Sequence, residues 1–309
     1  MTQNRLVIAS RESALAMWQA RFVQQQLQLL YPELSVQIKG MTTRGDQLLN
    51  QSLAKIGGKG LFIKELEQSL YRQTADIAVH SLKDVPMEMP TGFVLAAITE
   101  RMVPFDAFVS NQFANLADLP PAAIVGTSSL RRAAQIKALY PHVQIKTLRG
   151  NVQTRLKKLD SGDYDAIILA AAGLERLSLQ HRIRTCLPPE AVLPAPGQGA
   201  LAIEVAEHRD DLITLLQPLH HAQTAACITA ERTMARLLGG SCQIPLAAYC
   251  AEKDDGLELT GLVASLDGTT ILQTVARAPR DEAEQLGVQV AKQLAQQGAH
   301  ELIAAVLSV

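Results

Sequence analysis

Aromatic side chains are scarce: six Phe, five Tyr and one Trp make up only 4% of 309 residues. The core is therefore expected to be aliphatic, and there are few rings on which nucleic-acid bases could stack. Long apolar runs are also missing. The longest, residues 166–172, falls far short of the roughly 20 residues that a membrane helix needs. The opening MTQNRLVIAS has no basic segment leading into an apolar stretch, so no secretory signal is expected and a cytoplasmic location is. Cysteine is limited to Cys186, Cys227, Cys242 and Cys250, without a C-x-x-C pair or a histidine cluster. That pattern argues against a zinc site or a disulfide framework. The net charge of −1 gives no overall pull toward nucleic acid or a membrane surface.

The chain does contain enough residues for two or three domains, with an ordinary 48% hydrophobic and 19% charged composition. Its first half alternates strand and helix patterns. Residues 5–9 read as a strand, 13–30 as a helix with Leu15, Trp18, Phe22 and Leu27 near one face, and 34–41 as a strand. Residues 60–70 read as a helix, with Phe62, Leu66 and Leu70 spaced by four, and 76–79 as a buried strand. The pattern then recurs: strand 123–126, helix 130–139, strand 144–148, helix 151–159 and strand 165–170. Such alternation predicts βαβ units and largely parallel sheets.

Two segment pairs suggest one layout used twice. IASRESALAMWQA and VGTSSLRRAAQ both run from strand through Ser or Thr into a helix. LYRQTADIAVHSLKD and LDSGDYDAIILAAAGLE both pass from a helix end through an acidic turn to a strand. A crossing near residues 101–104 and a Pro/Gly-rich return over 187–200 would join two lobes around a hinged cleft. Ligands of open α/β sheets bind beyond the carboxyl ends of the strands, where both Ser-rich turns fall. From residue 221 the pattern changes. A helix over 224–238 ends at Gly239-Gly240, β runs 257–265 and 270–276 follow, and 282–296 read as a final helix. This predicts a small α+β domain, an antiparallel sheet with helices on one face.

The candidate site residues are mostly cationic or hydroxylic. Ser10-Arg11-Glu12-Ser13 and Thr127-Ser128-Ser129, followed by Arg131-Arg132, stand at strand-to-helix turns, where backbone N–H groups favour an anion. Ordinary helix capping explains either turn alone; two at matching places, each beside arginine, favour a carboxylate or phosphate ligand. Residues 127–176 carry a formal charge of +5. Within them Arg149, Arg155 and Arg176 follow strands or begin helices, and arginine forks onto carboxylates. Lys55 and Lys59 flank the glycines of KIGGKGLF, a loop that lacks phosphate-loop spacing but suits a lid. His80-Ser81-Leu82-Lys83-Asp84 follows a strand, offering a cation and a carboxylate, though Lys-Asp alone is a commonplace surface pair. Cys242 lies on a glycine turn after a helix; it reads either as a buried small residue or as an exposed nucleophile or attachment point.

Taken together, SRESALAMWQA, TRGD, KIGGKGLFIKELE, DIAVHSLKDVP, DAFVS, VGTSSLRRAAQ, LRGNVQTRLKKLDSGDYDAIILAAAGLERL, LPAPGQGALAIE, AERTMARLLGGSCQIP and HELIA, in this order, resemble the hydroxymethylbilane synthase (porphobilinogen deaminase) family. Departures are small: Ala14 where proline is frequent, Glu12 where glutamine is, and Gly-Gly-Ser-Cys where Gly-Gly-Cys is common. The resemblance implies an α/β fold of three domains: two periplasmic-binding-protein-like α/β lobes around a cleft, and a small α+β C-terminal domain. These would span 1–100 with 198–218, 104–194, and 221–309. It implies a monomeric transferase of tetrapyrrole and haem biosynthesis that joins four porphobilinogen units on a dipyrromethane cofactor held by thioether to Cys242. Asp84 would be the catalytic carboxylate, with Arg11, Arg149 and Arg155 near the reacting rings. Ser13, Lys83, Thr127, Ser128, Ser129, Arg131, Arg132, Gly150 and also Arg149 and Arg155 would help hold the cofactor. Arg176 would bind the incoming unit, Gln198 and Gly199 would lie at the hinge, and Lys55, Lys59 and Phe62 in the lid. No metal is implied.

Two other readings compete. A solute-binding protein would share the two-lobed layout, against which stand the missing signal and the Cys242 loop. A nucleic-acid binder could use the basic segment, against which stand the near-neutral charge and scarce aromatics.

Overall fold

The computed structural model describes residues 5–43, 63–240 and 243–308. Along the chain run β1 (Arg5–Arg11), α1 (Ala14–Leu30), β2 (Ser35–Met41), α2 (Lys64–Tyr71), β3 (Ile77–Ser81), β4 (Phe93–Ile98), β5 (Asp106–Val109) and β6 (Ile124–Gly126). There follow α3 (Leu130–Leu139), β7 (Gln144–Lys146), α4 (Val152–Asp160), β8 (Ala166–Ala170), α5 (Ala171–Arg176), β9 (Thr185–Leu187) and β10 (Leu201–Ala206). The chain closes with α6 (Asp210–Leu216), α7 (Ala222–Leu237), β11 (Leu246–Lys253), β12 (Gly256–Ala264), β13 (Ile271–Ala278), α8 (Ala283–Gln296) and α9 (Ala299–Leu307). Two compact units form: Met1–Met102 with Ala200–Ala225, and Val103–Gly199 with Ala226–Val309.

The first unit is built on a five-stranded sheet of order β2-β1-β3-β10-β4. Only β10 runs against the others. Both faces are covered, as a parallel sheet requires. Leu6, Ile8, Val36, Ile77 and Val79 pack with Ala20, Val23 and Leu27 of α1. Ala9 and Ala78, of opposite parity along their strands, pack with Leu66 and Leu70 of α2. The buried residues of α1 are Ala16, Gln19, Ala20, Val23 and Leu27; of the expected Leu15, Trp18, Phe22 and Leu27, Leu27 is fully buried, Phe22 packs against the core while partly buried, and Leu15 and Trp18 are half-buried. Small residues let the helix lie close on the sheet. Trp18 and Phe22 also stack on each other, with ring centroids 5.5 Å apart and planes within 5°.

The second unit repeats the layout with order β7-β6-β8-β5-β9, and only β5 is reversed. In each sheet the reversed strand is the first one after the chain has passed from one unit to the other, which composition could not reveal. The acidic turns are also duplicated. Asp76 Oδ2 accepts from the Val7 N–H at 2.7 Å, and Asp165 Oδ2 accepts from the Ile124 N–H at 2.7 Å. The aspartates thereby extend the pairing of β1 with β3 and of β6 with β8 beyond their ladders.

The second unit also holds an antiparallel sheet of order β11-β12-β13. One face meets α7 and α8 around Gly261, where an added Cβ would come within 2.7 Å of Val290 Cγ1 and would also strike Met234. The other face, through Ala247, Leu262 and Ala264, packs on Ala134 of α3 and on Leu193. The fold is thus α/β, with two sheet-centred lobes and a small α+β C-terminal portion. Residues 282–296 are not the last helix: α9 follows after Gly298, whose φ of +98° reverses the chain. No described helix is long and apolar enough to cross a membrane.

Candidate functional site

In the first unit, β1 ends at Arg11 and Ser13 caps α1, its hydroxyl accepting from the Ala16 N–H at 3.3 Å. Strand β3 ends at Ser81 and passes into a 3₁₀ turn, Leu82–Asp84. Leu82 is fully buried and pins this turn, whereas Asp84 is exposed at its end. Because β1 and β3 are parallel neighbours, their carboxyl ends bring Arg11, Ser13, Gln19, His80, Ser81 and Asp84 around one pocket. Gln19 Nε2 donates to Ser81 Oγ at 2.7 Å, joining α1 to the strand end. Lys83 is half-buried on the same turn.

One residue of the pocket, His80, pairs with a buried residue outside the pocket lining. His80 Nε2 lies 2.7 Å from Glu204 Oε2, with side chains 6% and 1% exposed. Glu204 Oε1 is buried without a hydrogen-bond partner among the described residues. Nearby, burial pushes the Glu67 carboxyl upward, and the charge of Glu204 adds to this; His80 and Lys64 oppose it. The available sequence clue was a lone acid inside the otherwise apolar ALAIEVA.

In the second unit the Thr127-Ser128-Ser129 turn stands at the N-terminus of α3. Ser129 Oγ caps the helix by accepting from the Arg132 N–H, Thr127 Oγ1 accepts from the Ser129 N–H, and Ser128 Oγ donates to the Leu148 carbonyl. Capping and ligand readings are therefore compatible: side chains set the turn while backbone N–H groups define its polarity. Asn151 caps α4 by accepting from the Thr154 N–H at 2.9 Å. Just before it Gly150 has φ +114°, and a Cβ there would lie 2.7 Å from Thr154 Cγ2, so glycine is needed. Arg155 Nε donates to the Gly150 carbonyl at 2.7 Å, which holds the half-buried Arg149-Gly150 corner.

Arg131 and Arg132 are nearly inaccessible, at 4% and 6% exposure. Asp106 at the start of β5 lies between them, with Oδ2 2.8 Å from Arg131 and Oδ1 2.6 Å from Arg132. Burial raises the Asp106 carboxyl, but the two guanidinium charges and hydrogen bonds from Arg132 and Gln198 outweigh it and hold it well below the usual range. Gln198 Nε2 also donates to the Pro104 carbonyl at 2.7 Å, tying together the two passages of the chain. Two guanidiniums face one carboxylate, so the cluster keeps one net positive charge. Arg132 Nε is buried with no acceptor among the described residues. Arg176 is buried as well and donates to the Gly199 carbonyl at 2.6 Å. Burial draws its pKa down to about 10, opposed by Glu175.

Lys55, Lys59, Phe62 and Cys242 lie outside the described residues. Among the described residues no group of His, Cys, Asp and Glu is arranged to hold a metal ion.

Comparison with known proteins points in one direction. The family profile described as "Porphobilinogen deaminase, dipyromethane cofactor binding domain" matches residues 6–214, and "Porphobilinogen deaminase, C-terminal domain" matches 225–296. The porphobilinogen deaminase of Neisseria meningitidis is 63% identical over 308 residues, covering 100% of this chain and 99% of the relative. That of Chromobacterium violaceum is 59% identical, covering 99% of each, and that of Nitrosomonas europaea 57%, covering 97% and 98%. Among solved structures, the periplasmic aliphatic sulphonate binding protein of Escherichia coli aligns at 13% identity with a TM-score of 0.42, covering 96% of this chain and 88% of that one. With both profiles matched and relatives aligned from end to end, the chain belongs to the porphobilinogen deaminase family.

Proposed function

We propose that this chain is a hydroxymethylbilane synthase that releases ammonia from porphobilinogen and joins four units into linear hydroxymethylbilane, on a dipyrromethane primer held by thioether to Cys242. The observation that carries the residue assignment is the shared pocket of Asp84 and Arg11 at the carboxyl ends of β3 and β1.

The residues suit the cofactor. Each pyrrole bears an acetate and a propionate, and the donor set is cationic and hydroxylic: a net positive Asp106–Arg131–Arg132 cluster, a buried Arg132 Nε with no described acceptor, and two capped helix N-termini. When bound, the primer supplies a nucleophilic pyrrole carbon. Ser13, Lys83, Thr127, Ser128, Ser129, Arg131, Arg132 and Gly150 are assigned to holding it. Arg131 and Arg132 act at the α3 N-terminus mainly through their field, since their guanidiniums are largely engaged with Asp106 and with backbone carbonyls.

Asp84 is the catalytic carboxylate. It accepts hydrogen bonds from pyrrole N–H groups and keeps a negative charge beside the cation that develops on the substrate as ammonia departs. A fixed charge lowers such a barrier most where water is scarce. Arg11, Arg149 and Arg155 orient the carboxylates of the reacting rings. Arg176 serves the incoming unit, and Gln198 and Gly199 the hinge. Lys55, Lys59 and Phe62 are assigned to the lid. The reading includes a monomeric cytoplasmic enzyme with domains 1–100 plus 198–218, 104–194 and 221–309.

The test is incubation of the purified protein with porphobilinogen. Release of ammonia together with an uncyclised tetrapyrrole supports the reading; release of neither, after time enough to load the primer, overturns it.

A further inference from the structure

We propose that His80 and Glu204 form a proton-accepting dyad for this reaction, with His80 Nδ1 receiving the proton that leaves the pyrrole α-carbon as each new carbon–carbon bond is completed. The inference rests on the assignment of Asp84 to the same pocket.

The chemistry requires such a base. The carbon–nitrogen bond of the aminomethyl group breaks, and ammonia leaves with the electron pair. The pyrrole α-carbon supplies the pair for the new carbon–carbon bond. That carbon must then lose its proton to become aromatic again, so each addition yields one ammonium ion overall. Asp84 serves best by staying ionised beside the cation throughout, and a carboxylate that takes up the proton no longer provides that charge. Two groups in one pocket with separate roles resolve the conflict.

The geometry supplies the second group. Strand pairing sets His80 opposite Ala202, so Glu204, two residues along β10, reaches the ring diagonally. In the proposed dyad Glu204 is the carboxylate, and Nε2, 2.7 Å from its Oε2, carries the hydrogen and donates it. That arrangement selects the Nε2–H tautomer and leaves the lone pair on Nδ1. Nδ1 makes no hydrogen bond to another described residue, while His80 lines the pocket that holds Asp84 and Arg11. The charged groups around the ring are Glu204 from β10, Glu67 and Lys64 from α2, and Arg11 and Asp84 across the pocket. Burial is the main cause of the upward push on the Glu67 carboxyl, and the charge of Glu204 adds to it. Glu204, at 2.7 Å from the ring, is the group placed to stabilise imidazolium once the proton has been taken.

The experiment uses the primer-loaded enzyme as isolated, with loading read by intact mass, and compares the unsubstituted protein with His80→Gln, Glu204→Gln and Asp84→Asn. His80→Gln should lower kcat roughly 100-fold, the lower range for loss of a general base, with KM and loading unchanged. Glu204→Gln removes the negative partner and lowers the proton affinity of the ring, so the acid limb of the kcat profile should move to lower pH. Independently of turnover, ¹⁵N NMR of the His80 ring should show the Nε2–H tautomer, and its titration should move down in Glu204→Gln. An undiminished kcat in His80→Gln, an acid limb that Glu204→Gln leaves in place, or a kcat loss fully accounted for by lost primer overturns the dyad. Full turnover in Asp84→Asn overturns the pocket assignment itself; inactive Asp84→Asn beside active His80→Gln removes the dyad alone.

Discussion

Asp106→Asn removes one negative charge from a cluster in which two buried guanidiniums depend on it. Asp106 is fully buried, and its oxygens lie 2.8 Å and 2.6 Å from Arg131 and Arg132. Asparagine preserves the shape but leaves both positive charges uncompensated. Breaking a buried pair from one side costs about 3–5 kcal/mol. At about 2–4 °C per kcal/mol for a unit of this size, the melting temperature should fall by roughly 6–20 °C. The pH dependence has a definite sign. The folded-state carboxyl is depressed, so its contribution is complete above the unfolded value of about 3.9 and is lost as pH falls toward the folded one. The gap between variant and parent should therefore be constant from pH 6 to pH 8 and narrow below about pH 4. Scanning calorimetry across that range provides the measurement. Adding Arg132→Met should recover part of the loss, because one charge fewer is left stranded. A fall of less than about 2 °C at pH 7, or a gap that stays constant in acid, would refute the assignment of Asp106 as the counter-charge.

Three other perturbations separate chemistry from structure. Asp84→Asn should retain the primer by mass but lose turnover by roughly three orders of magnitude, the scale of removing a central electrostatic stabiliser. Cys242→Ala should give a folded protein without primer, checked by circular dichroism and intact mass; stable covalent primer in it would move the attachment elsewhere. Gly261→Ala forces a methyl against Val290 and Met234, and should destabilise the protein by about 1–3 kcal/mol in denaturant melts while leaving the primer attached.

Much of the local structure was legible because local residues cause it. Ser13, Ser129 and Asn151 each cap the helix that follows, and Asp76 and Asp165 mark the same turn in both lobes. The reversed strands β5 and β10 were not legible, since pairing direction depends on where the chain re-enters a sheet. The expected face of α1 was only partly right: Leu27 is buried and Phe22 packs on the core, but the fully buried stripe is shifted onto residues 16, 20 and 23, which satisfy helical spacing equally well and fit against the sheet. Among the candidate site residues, Arg11 and Asp84 come to line one pocket because they follow the ends of neighbouring parallel strands. The burial of Arg131, Arg132 and Arg176 could not be foreseen. Their partners, Asp106 and the Gly199 carbonyl, lie 23 to 26 residues away along the chain. His80 was visible in its motif, but nothing local connects it to Glu204, 124 residues on.

The most direct test of the central claim is the intact mass of the purified protein, with the peptide containing Cys242 mapped before and after incubation with porphobilinogen. The account predicts an adduct of two linked pyrroles on that peptide, present on isolation or acquired on incubation, and further additions as substrate is supplied. A Cys242 peptide that stays unmodified in the presence of porphobilinogen would contradict it.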